Sequence, residues 1–76
     1  MDHHRFRLTE REISIIELTA SGLSAKEAAI KLRIAPRTVE KHLDNSRLKL
    51  HARNSAHLVA LCCGMGVLKT TMDFVA

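Results

Sequence analysis

Five side chains that can donate hydrogen bonds recur at helical spacing within residues 36–49. They are Arg37, Thr38, Lys41, His42 and Asn45. Arg and Lys can neutralise a phosphate or donate to the acceptor atoms of guanine, and Thr, His and Asn can bond to bases or to the nucleic-acid backbone. The same row, with Glu40 beside it, is also compatible with an ordinary solvated helix face. Periodicity alone therefore leaves both interpretations open.

A single helix is needed to hold this row on one side. Pro36 suits the first position of a helix, where its missing N–H is not required. Val39, Leu43 and Leu50 recur on the opposite side, with Ser46 among them. This division into a polar and an apolar face predicts an amphipathic helix from Pro36 to about residue 49.

The first helix is predicted from a capping box. Thr9 is followed three residues later by Glu12, a pair that satisfies free backbone amides at a helix start. The helix should therefore begin at Glu10 and end near residue 21, where Gly22 can adopt a left-handed conformation. Its apolar face is expected to consist of Ile13, Ile16 and Ala20.

A second, shorter helix is predicted over about residues 25–32, because Ser24 and Glu27 repeat the capping box. Its inward face should consist of Ala28, Ala29 and Leu32, and the two small alanines should allow close approach of another helix. Ser24 and Lys26 stand at its N-terminus, where free amides favour a phosphate. Only residues 33–35 separate it from the next helix, which predicts a tight turn and a helix-turn-helix unit.

A fourth helix, over about residues 55–65, should be capped by Asn54 and end at Gly64 and Gly66. Its middle, residues 58–63, is apolar on every side, which one small core cannot easily bury. Cys62 and Cys63 are adjacent and poorly placed to pair with each other, so we interpret them as buried thiols of a reducing compartment.

Composition limits the class of protein. The 76 residues can form one small domain, and 12 Lys and Arg against 8 Asp and Glu give a net charge of +4. Such a charge attracts nucleic acid or an anionic membrane. The longest apolar run is far shorter than the roughly 20 residues of a membrane span, and no secretory signal is present. We expect a cytoplasmic protein with no membrane partner, and no metal site, because His3 and His4 lack a nearby third ligand.

Three sequence blocks carry a specific resemblance. They are residues 8–12 (LTERE), residues 22–29 (GLSAKEAA), and residues 38–43 (TVEKHL) with Lys49 and Leu50. In order and spacing they closely resemble the C-terminal DNA-binding domain of the LuxR/FixJ/GerE family. The resemblance runs from Leu8 to about Leu68. We therefore predict a flexible arm at 1–7, a DNA-binding domain at 8–68 and a tail at 69–76.

The resemblance implies an all-α, four-helix (tetra-helical) helix-turn-helix domain. Its third helix would read the major groove, its second would cross the DNA backbone, and its fourth would pair two protomers. Matching the blocks assigns DNA contacts to Ser24, Lys26, Thr38, Lys41, His42 and Asn45, and places Arg37 at a variable position where base preference is set. For the pairing of protomers we predict His57, Leu58, Leu61, Cys62 and Met65.

Four positions depart from the family's usual residues. Ala35 replaces a capping Ser, which removes a side-chain cap worth about 1 kcal/mol. Ser46 replaces an Ile or Ala and should bond the carbonyl oxygen four residues back. His51 stands at a helix end usually occupied by Gly, and Ala28 replaces a larger aliphatic residue. We expect these changes to lower stability and to affect which DNA sequence is read.

The leading hypothesis is a sequence-specific transcriptional regulator that binds double-stranded DNA as a homodimer, without a cofactor. RNA polymerase or another regulator is a candidate protein partner. The alternative is a protein-interaction or anti-activator module of the same fold, which would sequester another regulator through helix four or the tail. An enzyme is disfavoured, because no nucleophile triad, Gly-rich phosphate loop or paired-carboxylate pocket is apparent.

Overall fold

A computed structural model of the chain describes residues 8–68, and these residues form four α-helices without a β-strand. The helices are α1 (Glu10–Ala20), α2 (Ala25–Leu32), α3 (Pro36–Leu50) and α4 (Ser55–Gly64). The predicted all-α, four-helix fold is confirmed, and the predicted starts of α1, α2 and α3 are confirmed to the residue. The predicted arm, with His3 and His4, and the predicted tail lie outside the described residues.

Local hydrogen bonds explain where the helices begin. The backbone N–H of Glu12 donates to Thr9 Oγ1 at 3.0 Å, and the N–H of Thr9 donates back to Glu12 Oε1 at 2.9 Å. The equivalent bonds join Ser24 and Glu27 at 3.1 and 2.8 Å. At α4, the side chain of Asn54 accepts from the N–H of His57 at 2.8 Å. Each predicted cap is therefore present.

Two of the four unusual positions described above lie in or next to α3, and both have the structural effect expected from the sequence. Ala35 makes no side-chain hydrogen bond at the N-terminus of α3, which begins with Pro36. The buried Ser46 Oγ donates to the carbonyl oxygen of His42 at 2.8 Å. A polar group in the core is thereby satisfied within its own helix.

All four helices are closed in the same way. A residue with positive φ follows each helix: Gly22, Arg33, His51 and Gly66, with φ of 97°, 60°, 57° and 78°. The next backbone N–H then returns to a carbonyl oxygen of the last turn, as from Ile34 to Ala29 at 3.0 Å and from Ala52 to Arg47 at 2.9 Å. At two of these ends the residue is not Gly but Arg33 or His51, and a left-handed conformation is costly for a residue with a Cβ atom.

The core consists of two clusters joined by neighbouring residues of α1. Ile15 packs with Ala28, Ala29 and Val39 between α1, α2 and α3. Ile16 faces the other cluster, which contains Leu58 and lies between α1 and α4. Since α1 serves both clusters, it holds the α2–α3 pair in place against α4. The sequence prediction named Ile16 but missed Ile15, which is equally buried.

In the described part of the chain, no helix has the length and apolar character that crossing a membrane requires.

Candidate nucleic-acid interface

The α2–turn–α3 unit is tightly packed. Ala28, Ala29 and Val39 are 1%, 2% and 0% exposed, and their small side chains let the two helices approach closely. Ile34, in the middle of the turn, packs against the same cluster. The turn is therefore anchored from inside, and the orientation of α3 relative to α2 is fixed by packing.

The outer side of α3 presents most of the predicted donors. Arg37, Lys41 and Asn45 are exposed, and they follow one another at intervals of four residues. With about 3.6 residues per turn, this spacing places them along one side of the helix, away from the buried Val39. Thr38 is half-buried, with its side chain at the border of this side. The predicted row of donors is therefore a continuous surface.

His42 lies at the border of the same surface. It is half-buried, and its carbonyl oxygen accepts the hydrogen bond from Ser46. His42 therefore offers a ligand less exposed surface than Lys41, which is exposed.

Ion pairs divide the four cations of α3 into two groups. Arg47 bonds to Asp44 within the helix at 2.8 Å, and Lys49 bonds to Glu12 of α1 at 2.8 Å. Among residues 8–68, Arg37 and Lys41 have no carboxylate partner. Within α3, the positive charge that remains available to an anion therefore lies in the N-terminal half of the helix.

A second polar surface lies at the N-terminus of α2. Ser24 and Lys26 are exposed, as a phosphate contact would require. The Ser24 hydroxyl oxygen is already the acceptor of the capping bond from the Glu27 N–H. Its own proton remains available as a donor, so that capping and a contact to a phosphate oxygen are compatible.

The sequence prediction missed the partly buried ion pair between Glu12 and Lys49. The ammonium of Lys49 donates to both carboxylate oxygens of Glu12, at 2.8 and 3.0 Å. Burial raises the pKa of Glu12, but the hydrogen bonds from Lys49 and Thr9 and the charge of Lys49 outweigh burial and lower the pKa below its usual value. The pair ties the end of α3 to the start of α1.

Comparison with known proteins identifies the family. The sequence model described as bacterial regulatory proteins of the luxR family matches residues 7–62, more than half of the chain. The chain belongs to this luxR family. The α2–α3 pair accordingly corresponds to the helix-turn-helix of a luxR-type DNA-binding domain.

Curated relatives of this luxR-family domain are regulators. The transcriptional regulatory protein FixJ of Rhizobium meliloti is 43% identical over 61 residues, which cover 78% of this chain and 30% of FixJ. The quorum sensing-dependent regulator RpaR of Rhodopseudomonas palustris is 38% identical over 65 residues, 86% of this chain and 27% of RpaR. The chain thus spans less than a third of either relative. No solved structure matches the chain significantly.

The structure changes the predicted pairing surface on α4 of this luxR-family domain. Leu58 and Cys62 are 0% exposed and belong to the core of a single chain, so the prediction that they contact a second protomer is wrong. Burial, with a smaller effect of the neighbouring Cys63, raises the pKa of Cys62 to about 11, as expected for a buried thiol.

The other residues predicted for pairing remain accessible in part. Leu61 and His57 are half-buried, and Met65 is 39% exposed. The His57 Nδ1 accepts a hydrogen bond from the Arg53 N–H at 3.0 Å, which fixes the ring at the start of α4.

The outermost side of α4 carries small residues that the sequence prediction did not name. Ala56, Ala60 and Gly64 are exposed and follow one another at intervals of four residues. A Cβ atom added at Gly64 would meet no atom within 4 Å. A second helix could approach the backbone of α4 closely along this side. The recurrence of small residues at every fourth position of the sequence could have identified this side of α4.

Within residues 8–68, no group of three or more His, Cys, Asp or Glu side chains is arranged to hold a metal ion.

Proposed function

We propose that the chain recognises a specific sequence in double-stranded DNA by placing α3 in the major groove. The exposed side of α3 supports this proposal, because Arg37 and Lys41 project from its N-terminal half without a carboxylate partner among residues 8–68. In a helix-turn-helix domain, the N-terminal residues of the second helix reach the base edges.

The proposed contacts divide into two kinds. Arg37, Lys41 and Asn45 face the base edges and neighbouring phosphates, with Thr38 and His42 at the border of the contact. Ser24 and Lys26 bind a phosphate at the N-terminus of α2, where backbone amides also attract an anion. Phosphate contacts supply affinity and orientation, and contacts to base edges supply the sequence preference.

We further propose that two protomers pair through α4 on a two-fold-related site. The support is the exposed row Ala56, Ala60 and Gly64, with Leu61 beside it. Small side chains at the contact allow close helix packing, and a two-fold axis brings the same row of each protomer together.

The first experiment selects duplexes from a random pool at near-physiological salt with the wild-type chain, Lys41→Glu and Arg11→Glu. Arg11 is exposed on α1, outside the α2–α3 pair, so its substitution is a control with the same change in charge. We expect the wild type and Arg11→Glu to enrich the same site, and Lys41→Glu to lose it. For Lys41→Glu, the slope of the logarithm of affinity against the logarithm of salt concentration should become shallower by about one, because a phosphate contact is lost.

Two results would contradict this proposal. If the wild type enriches no sequence over random DNA, the chain does not read a sequence, and the protein-interaction module becomes the better hypothesis. If Arg11→Glu weakens binding as strongly as Lys41→Glu, attraction is governed by overall charge and α3 has no special role.

Pairing is tested separately with Ala60→Glu, because Ala60 is exposed and its replacement leaves the core intact. The number of chains bound to a duplex that contains a half-site is measured by sedimentation of the complexes. We expect two chains per duplex for the wild type and one for Ala60→Glu. Lys31→Glu, on the exposed side of α2, is the control and should leave the stoichiometry unchanged. An unchanged stoichiometry for Ala60→Glu would exclude α4 as the contact.

A further inference from the structure

The N-terminal half of α3 contains one exposed acceptor among its donors. Of residues 36–43, four are exposed: Pro36, Arg37, Glu40 and Lys41. Glu40 lies one turn after Arg37 and next to Lys41. Even so, among residues 8–68 it forms no ion pair and no hydrogen bond through its carboxylate. The Glu40 carboxylate is therefore exposed and uncompensated close to the two cations.

Asp44, the other acidic residue of α3, has a different environment. It is exposed but bonded to Arg47 at 2.8 Å, and its charge is thereby compensated within the helix. Glu40 has no such compensation within the described residues. The two carboxylates, one turn apart on the same helix, thus form a matched pair for comparison.

DNA chemistry restricts what an uncompensated carboxylate can contact. Phosphates repel it, and every guanine edge in the major groove presents acceptors, which repel it as well. Adenine offers an amino group beside the acceptor N7, whereas cytosine offers its N4 amino group as a donor. A carboxylate can therefore accept a hydrogen bond from cytosine without facing a second acceptor of the same base.

We propose that Glu40 is a specificity-determining residue, which selects a cytosine at one position of each half-site by accepting a hydrogen bond from its N4 amino group. This inference rests on the proposed function, since it requires α3 to lie in the major groove. Glu40 also weakens binding to other sequences, because its charge is then left opposite acceptors or phosphates.

The test is selection from a pool of duplexes randomised over the half-site, at one salt concentration, with the wild type, Glu40→Gln and Asp44→Asn. Each variant removes one negative charge from the exposed side of α3. We expect Glu40→Gln to lose the preference for cytosine at one position, by roughly 5- to 150-fold, the usual cost of one wrong base pair. Since a glutamine side chain can bond to both N6 and N7 of adenine, adenine should be gained there. Asp44→Asn should keep the wild-type preference.

Other outcomes would overturn the inference. It fails if Glu40→Gln keeps the base preferences of the wild type and merely binds all duplexes more tightly, since this would be an effect of charge alone. It also fails if Asp44→Asn shifts the same position equally. A wild type that enriches no sequence would instead overturn the proposed function, and this inference with it. Far-UV circular dichroism of both variants verifies that the helices are retained.

Discussion

Removing Lys49 should destabilise the domain more than any other change to an ion pair in the described residues. In Lys49→Met, the stem of the side chain is retained, but the Glu12 carboxylate loses the ammonium that donates to both of its oxygens. The Glu12 side chain is only 4% exposed, so water cannot replace the lost partner. Thr9 would remain as its donor.

The expected loss of unfolding free energy follows from how far the side chains of Glu12 and Lys49 are buried. Leaving one member of a buried pair without its partner costs about 3–5 kcal/mol. Because the Lys49 side chain is 31% exposed and part of the interaction is screened, we expect about 3 kcal/mol for Lys49→Met. Glu12→Gln should cost less, about 1–2 kcal/mol, since the amide oxygen still accepts from Thr9 and the remaining ammonium is partly hydrated.

The assay is urea unfolding followed by far-UV circular dichroism, near neutral pH. Arg47→Met is the control, because it breaks the exposed ion pair with Asp44, for which we expect about 0.5 kcal/mol or less. A loss for Lys49→Met within about 0.5 kcal/mol of the control would refute the argument from burial. Such a small domain has a net stability of only roughly 3–5 kcal/mol, so the expected loss should be visible as partial unfolding without denaturant.

The same pair should make stability depend on pH. The pKa of Glu12 is lowered in the folded chain from its usual 4.5. The stabilisation from the charged carboxylate is therefore fully present above pH 4.5 and is lost as the pH falls through the lower, folded-state pKa. The difference in unfolding free energy between the wild type and Glu12→Gln should shrink over that range. A difference independent of pH would contradict the role of the charge.

Three further substitutions test the helix ends and the core by thermal and urea unfolding. Ala35→Ser should stabilise α3 by about 1 kcal/mol, because Ala35 already has the extended backbone of an N-cap; an unchanged midpoint would show that the hydroxyl does not cap the helix. His51→Gly should stabilise the domain by about 0.5–1 kcal/mol, since relief of the strain at positive φ exceeds the entropy cost of Gly. A loss of stability would show that the His51 side chain makes a stabilising contact. Leu58→Ala should lower the free energy of unfolding by about 2–5 kcal/mol, independently of protein concentration, because Leu58 lies in the core of a single chain. A loss that depends on protein concentration would instead indicate that Leu58 contacts a second protomer.

The starts and ends of the helices could be predicted from the sequence, because they depend on groups that are close in the chain. The Thr9–Glu12 box, Pro36 and Asn54 each satisfy or remove backbone donors within one turn. The row of donors on α3 could be predicted for a similar reason, since helical periodicity alone separates Arg37 and Lys41 from the buried Val39.

The tertiary structure decided the features that depend on distant parts of the chain. Glu12 and Lys49 are 37 residues apart, so no local pattern distinguishes them from other surface charges, and only the packing of α1 against α3 brings them together. On α4, apolar residues occur on every side, and periodicity could not tell which of them face the core. Packing against α1 buries Leu58 and Cys62 and leaves Ala60 outside. The sequence by itself therefore determined the helices and their polar face, and tertiary packing determined which charges pair and which side of α4 is available, because these properties exist only once the helices are in contact.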